Sequence, residues 1–202
     1  MTLDVGIVLD FASALALIAI LAWYHGALLQ RPVLAPFVPL VMGGALGLVA
    51  VVQMHAAIEP VGGLLLDLRG VPVALAGAFL GGRGLAACLV VAISARLDIG
   101  GIGLWPDVVG IALAGGAAAL WARATRAAMP RGLGQLAVLG LATSVVLLPG
   151  LSLPPPLGGW LLHAVVPVML PLHVAAVTAL AALMERERHL SIIEARRTRG
   201  AG

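Results

Sequence analysis

The side chains of this chain best suited to chemistry are arginines set among glycines and acids. Arg69 closes the tripeptide Asp67-Leu68-Arg69, and Arg96 opens Arg96-Leu97-Asp98 shortly before Gly100, Gly101 and Gly103. A guanidinium is permanently charged and presents a rigid fork of donors that grips a carboxylate at two points. Two of them beside flexible backbone could hold a small anion, most naturally a carboxylate, so Arg69, Arg96 and Asp67 are the primary ligand-binding candidates. A second reading uses the same residues. Glu59, Asp98 and Asp107, the secondary candidates for the same site, are near in sequence, and with Asp67 they could act as internal counter-charges in a salt-bridge cluster that pins a loop. The residue types alone leave both readings open. No paired-carboxylate site, metal-ligand cluster or nucleophile–base set is visible, so no catalytic residue, metal or cofactor is expected.

The elements that must position these residues belong to a membrane. Hydrophobic residues make up 61% of the 202-residue chain, charged residues 10%, and the mean hydropathy is +1.10. Soluble domains carry about 25% charged residues. The composition therefore predicts an all-α, polytopic transmembrane bundle with lipid as its surroundings. The basic pI of about 10.4 rests on arginine alone, since the chain has no lysine. These arginines cluster in short loops and at the C-terminus with no nucleic-acid motif, so no nucleic-acid partner is expected. Cys88, the single cysteine, excludes an intramolecular disulfide and reads as a small buried side chain.

Apolar spans are expected over residues 5–24, 34–57, 105–121, 133–148 and 160–184. Asp10 in the first reads as snorkelling to the near surface. Gly43-x-x-x-Gly47 in the second suits close helix contact, and Gln53 and His55 near its far end suit the interface. Residues 149–159 read as a loop, and Pro167 and Pro171 interrupt the last span, where His163 and His173 read as interfacial or packing residues, with the lining of a cavity as the alternative. Residues 185–199 are expected to extend that span as a charged helix. Pro60, Gly62 and Gly63 prevent a clean helix over 59–70. Residues 71–80 and 84–95 are each too short to cross at 1.5 Å per residue. They form either one kinked span or a hairpin of two short helices, broken at Gly81-Gly82-Arg83-Gly84.

Charge bias favours the hairpin, at about 71–97. The loop with Arg123, Arg126 and Arg131 and the tail from Arg186 to Arg199 should face the cytoplasm. A hairpin then places Arg31 and Arg83 on the same side and the acidic N-terminus outside. Only Arg69 and Arg96 break the rule. A single span would separate those two by about 35 Å or more.

Taken in order, residues 54–82 (MHAAIEPVGGLLLDLRGVPVALAGAFLGG) and the later ARLDIGGIG resemble the LytS-type five-transmembrane receptor domain, 5TMR-LYT. That family shows Met…Pro…Gly…Asp-x-Arg, an apolar arm ending in Gly-Gly, then an arginine and a Gly-Gly-x-Gly loop. By position the resemblance assigns Asp67 and Arg69 to the Asp-x-Arg element and Arg96 to the later arginine, while Arg83 stands where proline is common. It implies an additional helix at 1–30, the receptor domain at 31–184 and a charged cytoplasmic tail at 185–202. Such domains are input modules of bacterial histidine kinases and diguanylate cyclases in the inner membrane, and some respond to small carboxylates such as pyruvate. Members usually continue into an output domain, and here only residues 185–202 follow the last span. The resemblance thus implies sensing of a small carboxylate on the extracytoplasmic side, with the signal passing through a kinase or cyclase partner, a missing output domain or a homodimer. The chain's size and broken hairpin also resemble the substrate-binding subunits of energy-coupling-factor transporters, which would imply a transporter partner. A structural role in a membrane complex is a third reading. Reporter fusions at the two ends check the orientation, with an external N-terminus and a cytoplasmic C-terminus as the expected result.

Overall fold

Backbone polar groups find no partner in hydrocarbon, so an apolar chain satisfies them within its own helices. The computed structural model describes residues 5–29, 36–61, 64–128 and 130–200 in these terms. Arg31, Gly62 and Gly63, and the side chains of Asp10 and Glu59, lie outside the described residues. Eight α-helices occur among those described: α1 (Val5–Leu29), α2 (Val38–His55), α3 (Gly70–Phe79), α4 (Gly81–Ile99), α5 (Leu104–Ala124), α6 (Leu133–Thr143), the single-turn α7 (Leu157–Trp160) and α8 (Val166–Gly200). A 3₁₀ segment (Ser144–Ser152) prolongs α6, and a π-helical segment (Leu161–Val165) joins α7 to α8. Four stretches are long and apolar enough to cross a membrane among the described residues: Val38–His55, Leu104–Ala124, Leu133–Ser152 and Leu157–Ser191.

The chain is an all-α polytopic bundle with a broken hairpin, as composition and charge predicted, and the differences are local. The hairpin is asymmetric. Its first arm, α3, has 10 residues, but its second, α4, has 19 and starts at Gly81, because Gly81 to Gly84 enter the helix instead of forming a loop. Residues 59–70 contain a small antiparallel β-ribbon, β1 (Ile58–Val61) against β2 (Leu64–Leu66). Part of the expected loop at 149–159 is helical, since the 3₁₀ segment carries Pro149 as far as Ser152.

A ten-residue helix can exist at membrane depth only if protein covers it. Gly70 to Ala78 are all buried, and α3 packs against α2, α4, α5 and α8. The second arm is held in place by α2. An added Cβ on Gly43 would meet the backbone carbonyl of Gly84, and one on Gly47 would lie 2.8 Å from Val91 Cβ. The Gly43-x-x-x-Gly47 stripe is therefore the surface on which α4 lies, with backbones in near contact. Gly44, one position on, faces open space. Gly43→Ala should force the two helices apart and lower stability by about 1–3 kcal/mol. Gly44→Ala should change it by no more than about 1 kcal/mol, in the stabilising direction. Thermal unfolding of the two variants in detergent measures the contrast.

Candidate functional site

The site begins where β2 ends. Asp67 Oδ1 accepts from the backbone N–H of Arg69 at 2.8 Å and from Arg69 Nε at 2.7 Å. The aspartate thus fixes both the turn into α3 and the direction of the guanidinium. That guanidinium reaches across to α5, where its Nη1 donates to Asp107 Oδ2 at 2.8 Å. Arg96, in the last turn of α4, donates from Nε to the same oxygen at 2.7 Å. Its Nη1 bonds the carbonyl of Gly100, which turns back toward the helix at φ 69°, a backbone conformation open to glycine.

Both arginines are buried, Arg69 with 4% and Arg96 with 0% of its surface exposed. Two guanidinium groups at this separation repel, and burial deprives them of water. The carboxylate between them supplies the compensating charge, with Asp67 adding a second. Two arginines and two aspartates leave the cluster formally neutral.

A cavity of about 60 Å³ opens beside the cluster. Asp67, Arg69 and Asp107 form its polar side, and Val146, Leu161, Val165 and Met169 contribute apolar wall. The second oxygen of Asp67, Oδ2, is buried without a hydrogen-bond partner, so the polar side keeps an unused acceptor. His173 faces the cavity from α8. The Thr143 hydroxyl donates to the Leu139 carbonyl at 2.9 Å, and its oxygen lies 3.2 Å from His173 Nε2. A donating Nε2–H satisfies that geometry and leaves Nδ1 as an acceptor.

The cavity lies within the thickness of the bundle. Arg131 sits over the Phe79 ring at 5.7 Å and the Trp121 ring at 4.5 Å, which marks the arginine-rich end. Counting from that level along α3, α4 and α5, the cluster residues stand roughly 15–22 Å away at 1.5 Å per residue, against a hydrocarbon core of about 30 Å. Irregular backbone surrounds them. The 3₁₀ segment contributes Val146 and Leu147, and the π segment contributes Leu161 and Val165. Such backbone is tolerated at membrane depth where it lines a cavity, and π segments recur at functional sites.

The structure brings Asp67, Arg69, Arg96 and Asp107 together. Arg96 lies behind Asp107 and is not part of the cavity wall. Asp98 is exposed and has no ion pair among the described residues, and the side chain of Glu59 is not described. Asp107, a secondary candidate from sequence, is the centre of the cluster. Of the two histidines on the last span, His173 takes the alternative reading and faces the cavity, while His163 is exposed. Pro167 and Pro171 of the last span, and the loop expected at 149–159, were the sequence signals of irregular backbone nearby.

Among known proteins, a family model described as "5TMR of 5TMR-LYT" matches residues 13–186. No curated protein and no solved structure matches the chain. Asp107→Asn keeps the shape of the central side chain but removes the charge between two buried cations. It should lower stability by about 3–5 kcal/mol, whereas Asp98→Asn should stay within about 0.5 kcal/mol. Unfolding of both variants in the same detergent checks this.

Proposed function

The chain belongs to the 5TMR-LYT family of membrane sensory domains, and from that premise we propose that it senses a small carboxylate through Arg69. One observation carries this reading. The Nη1 of Arg69, at the wall of a small cavity, is held by a carboxylate oxygen that Arg96 holds as well. An incoming carboxylate can therefore take the place of Asp107 on Arg69 without leaving Asp107 bare, because Arg96 retains it. The exchange conserves hydrogen bonds and adds one negative charge beside two arginines. Asp67 keeps Arg69 aimed throughout. His173 Nδ1, an acceptor, and the apolar wall suit a ligand with a short carbon chain and a hydroxyl next to its carboxylate.

In this proposal the arginine-rich end faces the cytoplasm of a bacterial inner membrane, by the positive-inside rule, and the ligand enters from the opposite side. Release of Asp107 from Arg69 loosens the tie between α3 and α5. Gly70, the first residue of α3, lies against the His173 ring, since a Cβ added there would come within 2.9 Å of its Cε1. A shift of α3 is thereby felt by α8, which runs on as one helix to Gly200 and would present the signal to a kinase, cyclase or other partner.

Calorimetry of the detergent-solubilised chain against acetate, lactate and pyruvate tests this reading. Charge-assisted contacts contribute about 1.5–3 kcal/mol each. Arg69→Lys, which keeps the charge but loses the planar fork, should weaken binding at least about tenfold. Binding unchanged in Arg69→Lys, or no binding of any carboxylate by the wild type, would rule the proposal out.

A further inference from the structure

A second cavity, of about 230 Å³, lies at the arginine-rich end. Four arginines from three separate segments line it: Arg123 from α5, Arg126 and Arg131 from the α5–α6 loop, and Arg188 from α8. The backbone of Gly81 and Gly82, at the start of α4, completes the wall, and no atom crowds either glycine where a Cβ would stand. A topology signal needs arginines on one side of the membrane and is satisfied when each points into water. It does not require that they converge on one cavity.

Arg131 is the least explained of the four. It is 6% exposed, and its guanidinium stacks on Trp121. Its backbone N–H donates to Glu185 Oε1 at 3.1 Å, its Nη2 lies 3.5 Å from the Ala122 carbonyl, and its Nη1 stands 3.6 Å from Glu185 Oε2. Nε and Nη1 have no hydrogen-bond partner. Burial lowers the pKa of this guanidinium, Glu185 partly restores it, and the positive charge of Arg188 lowers it again. One buried carboxylate thus stands behind a wall carrying four positive charges.

We propose that this cavity binds a phosphate group. A carboxylate has two oxygens, which one guanidinium fork can occupy. A phosphate presents more acceptor oxygens in a tetrahedral arrangement, matching arginines that approach from three segments. The first turn of α4, where a helix leaves N–H groups without intrahelical partners, adjoins the cavity at Gly81 and Gly82 and favours the same charge. Both an anionic lipid headgroup and soluble phosphate offer this chemistry. Either would tie the α3–α4 turn to α8 at the point where α8 leaves the bundle.

The test uses the full chain with two double variants of equal charge. Arg126→Gln/Arg188→Gln alters the wall but spares buried Arg131, whose loss would threaten folding. Arg83→Gln/Arg186→Gln alters two exposed arginines outside the wall. Inorganic phosphate is titrated in lipid-free non-ionic detergent against chloride at matched ionic strength, and protection from thermal unfolding is read. Native mass spectrometry after exchange into phosphatidylcholine with or without phosphatidylglycerol reads lipid retention. Saturable protection by phosphate, with apparent Kd raised at least tenfold in the wall variant and less than twofold in the other, identifies a soluble ligand. Retention of phosphatidylglycerol that is lost only in the wall variant identifies a headgroup. Failure of both probes to bind above their controls, or equal weakening by the two double variants, overturns the proposal.

Discussion

One oxygen atom, Asp107 Oδ2, accepts from both Arg69 and Arg96, and much of the fold follows from that sharing. Two guanidinium groups cannot be buried side by side without an anion between them. Their meeting at Asp107 requires that the start of α3, the end of α4 and the start of α5 stand at the same level of the bundle. The connection between α3 and α4 must therefore reverse direction. An ion pair between residues distant in sequence thus selects a hairpin over a single kinked span, which hydropathy could not do.

The short helix α3 follows from the same constraint. Its ten residues bridge the distance between the buried ion cluster and the arginine-rich end, and no more is needed because the helix starts at the buried cluster and not at the opposite surface. Around it the longer helices provide the covering that lipid cannot. Glycines do much of this work: Gly77 faces Ala118 on α5, where an added Cβ would lie 2.8 Å from the Ala118 Cβ, and Gly140 meets the Val174 backbone on α8. Dispersion contacts between close backbones replace the hydrophobic driving force that is missing between helices in lipid.

Both cavities described above touch α3, one at each end. The acid–arginine cluster sits at its start, and the arginine cavity adjoins its last turn through Gly77, Ala78 and Phe79. The two differ in balance. The first is formally neutral, with each cation matched by an aspartate. The second has a surplus of positive charge and a single buried carboxylate beside it. In the two proposals, the neutral cluster would accept an anion by exchange and the unbalanced one by addition.

The sequence by itself determined the class and most of the map. The scarcity of charge required membrane helices, the arginine distribution grouped the α3–α4 turn, the α5–α6 loop and the start of the tail at one end, and the exception to that bias, beside glycines and acids, singled out Asp67, Arg69 and Arg96. Gly43 and Gly47 were legible as a packing stripe because small residues at a spacing of four share one helix face. What the tertiary structure decided are the pairings. Asp107 was one of several acids near in sequence, and only the packing of α5 against α3 and α4 placed it between the arginines while leaving Asp98 exposed. His173 was one histidine of two on the last span, and the packing of α8 placed it on the cavity wall and left His163 exposed. The length of α4 was hidden because Gly81-Gly82-Arg83-Gly84 has the composition of a turn. Contact with α2 favours helix there, since glycine allows the two backbones to touch. Spacing along the chain records which residues can share a helix face, but which helix stands opposite is fixed by packing.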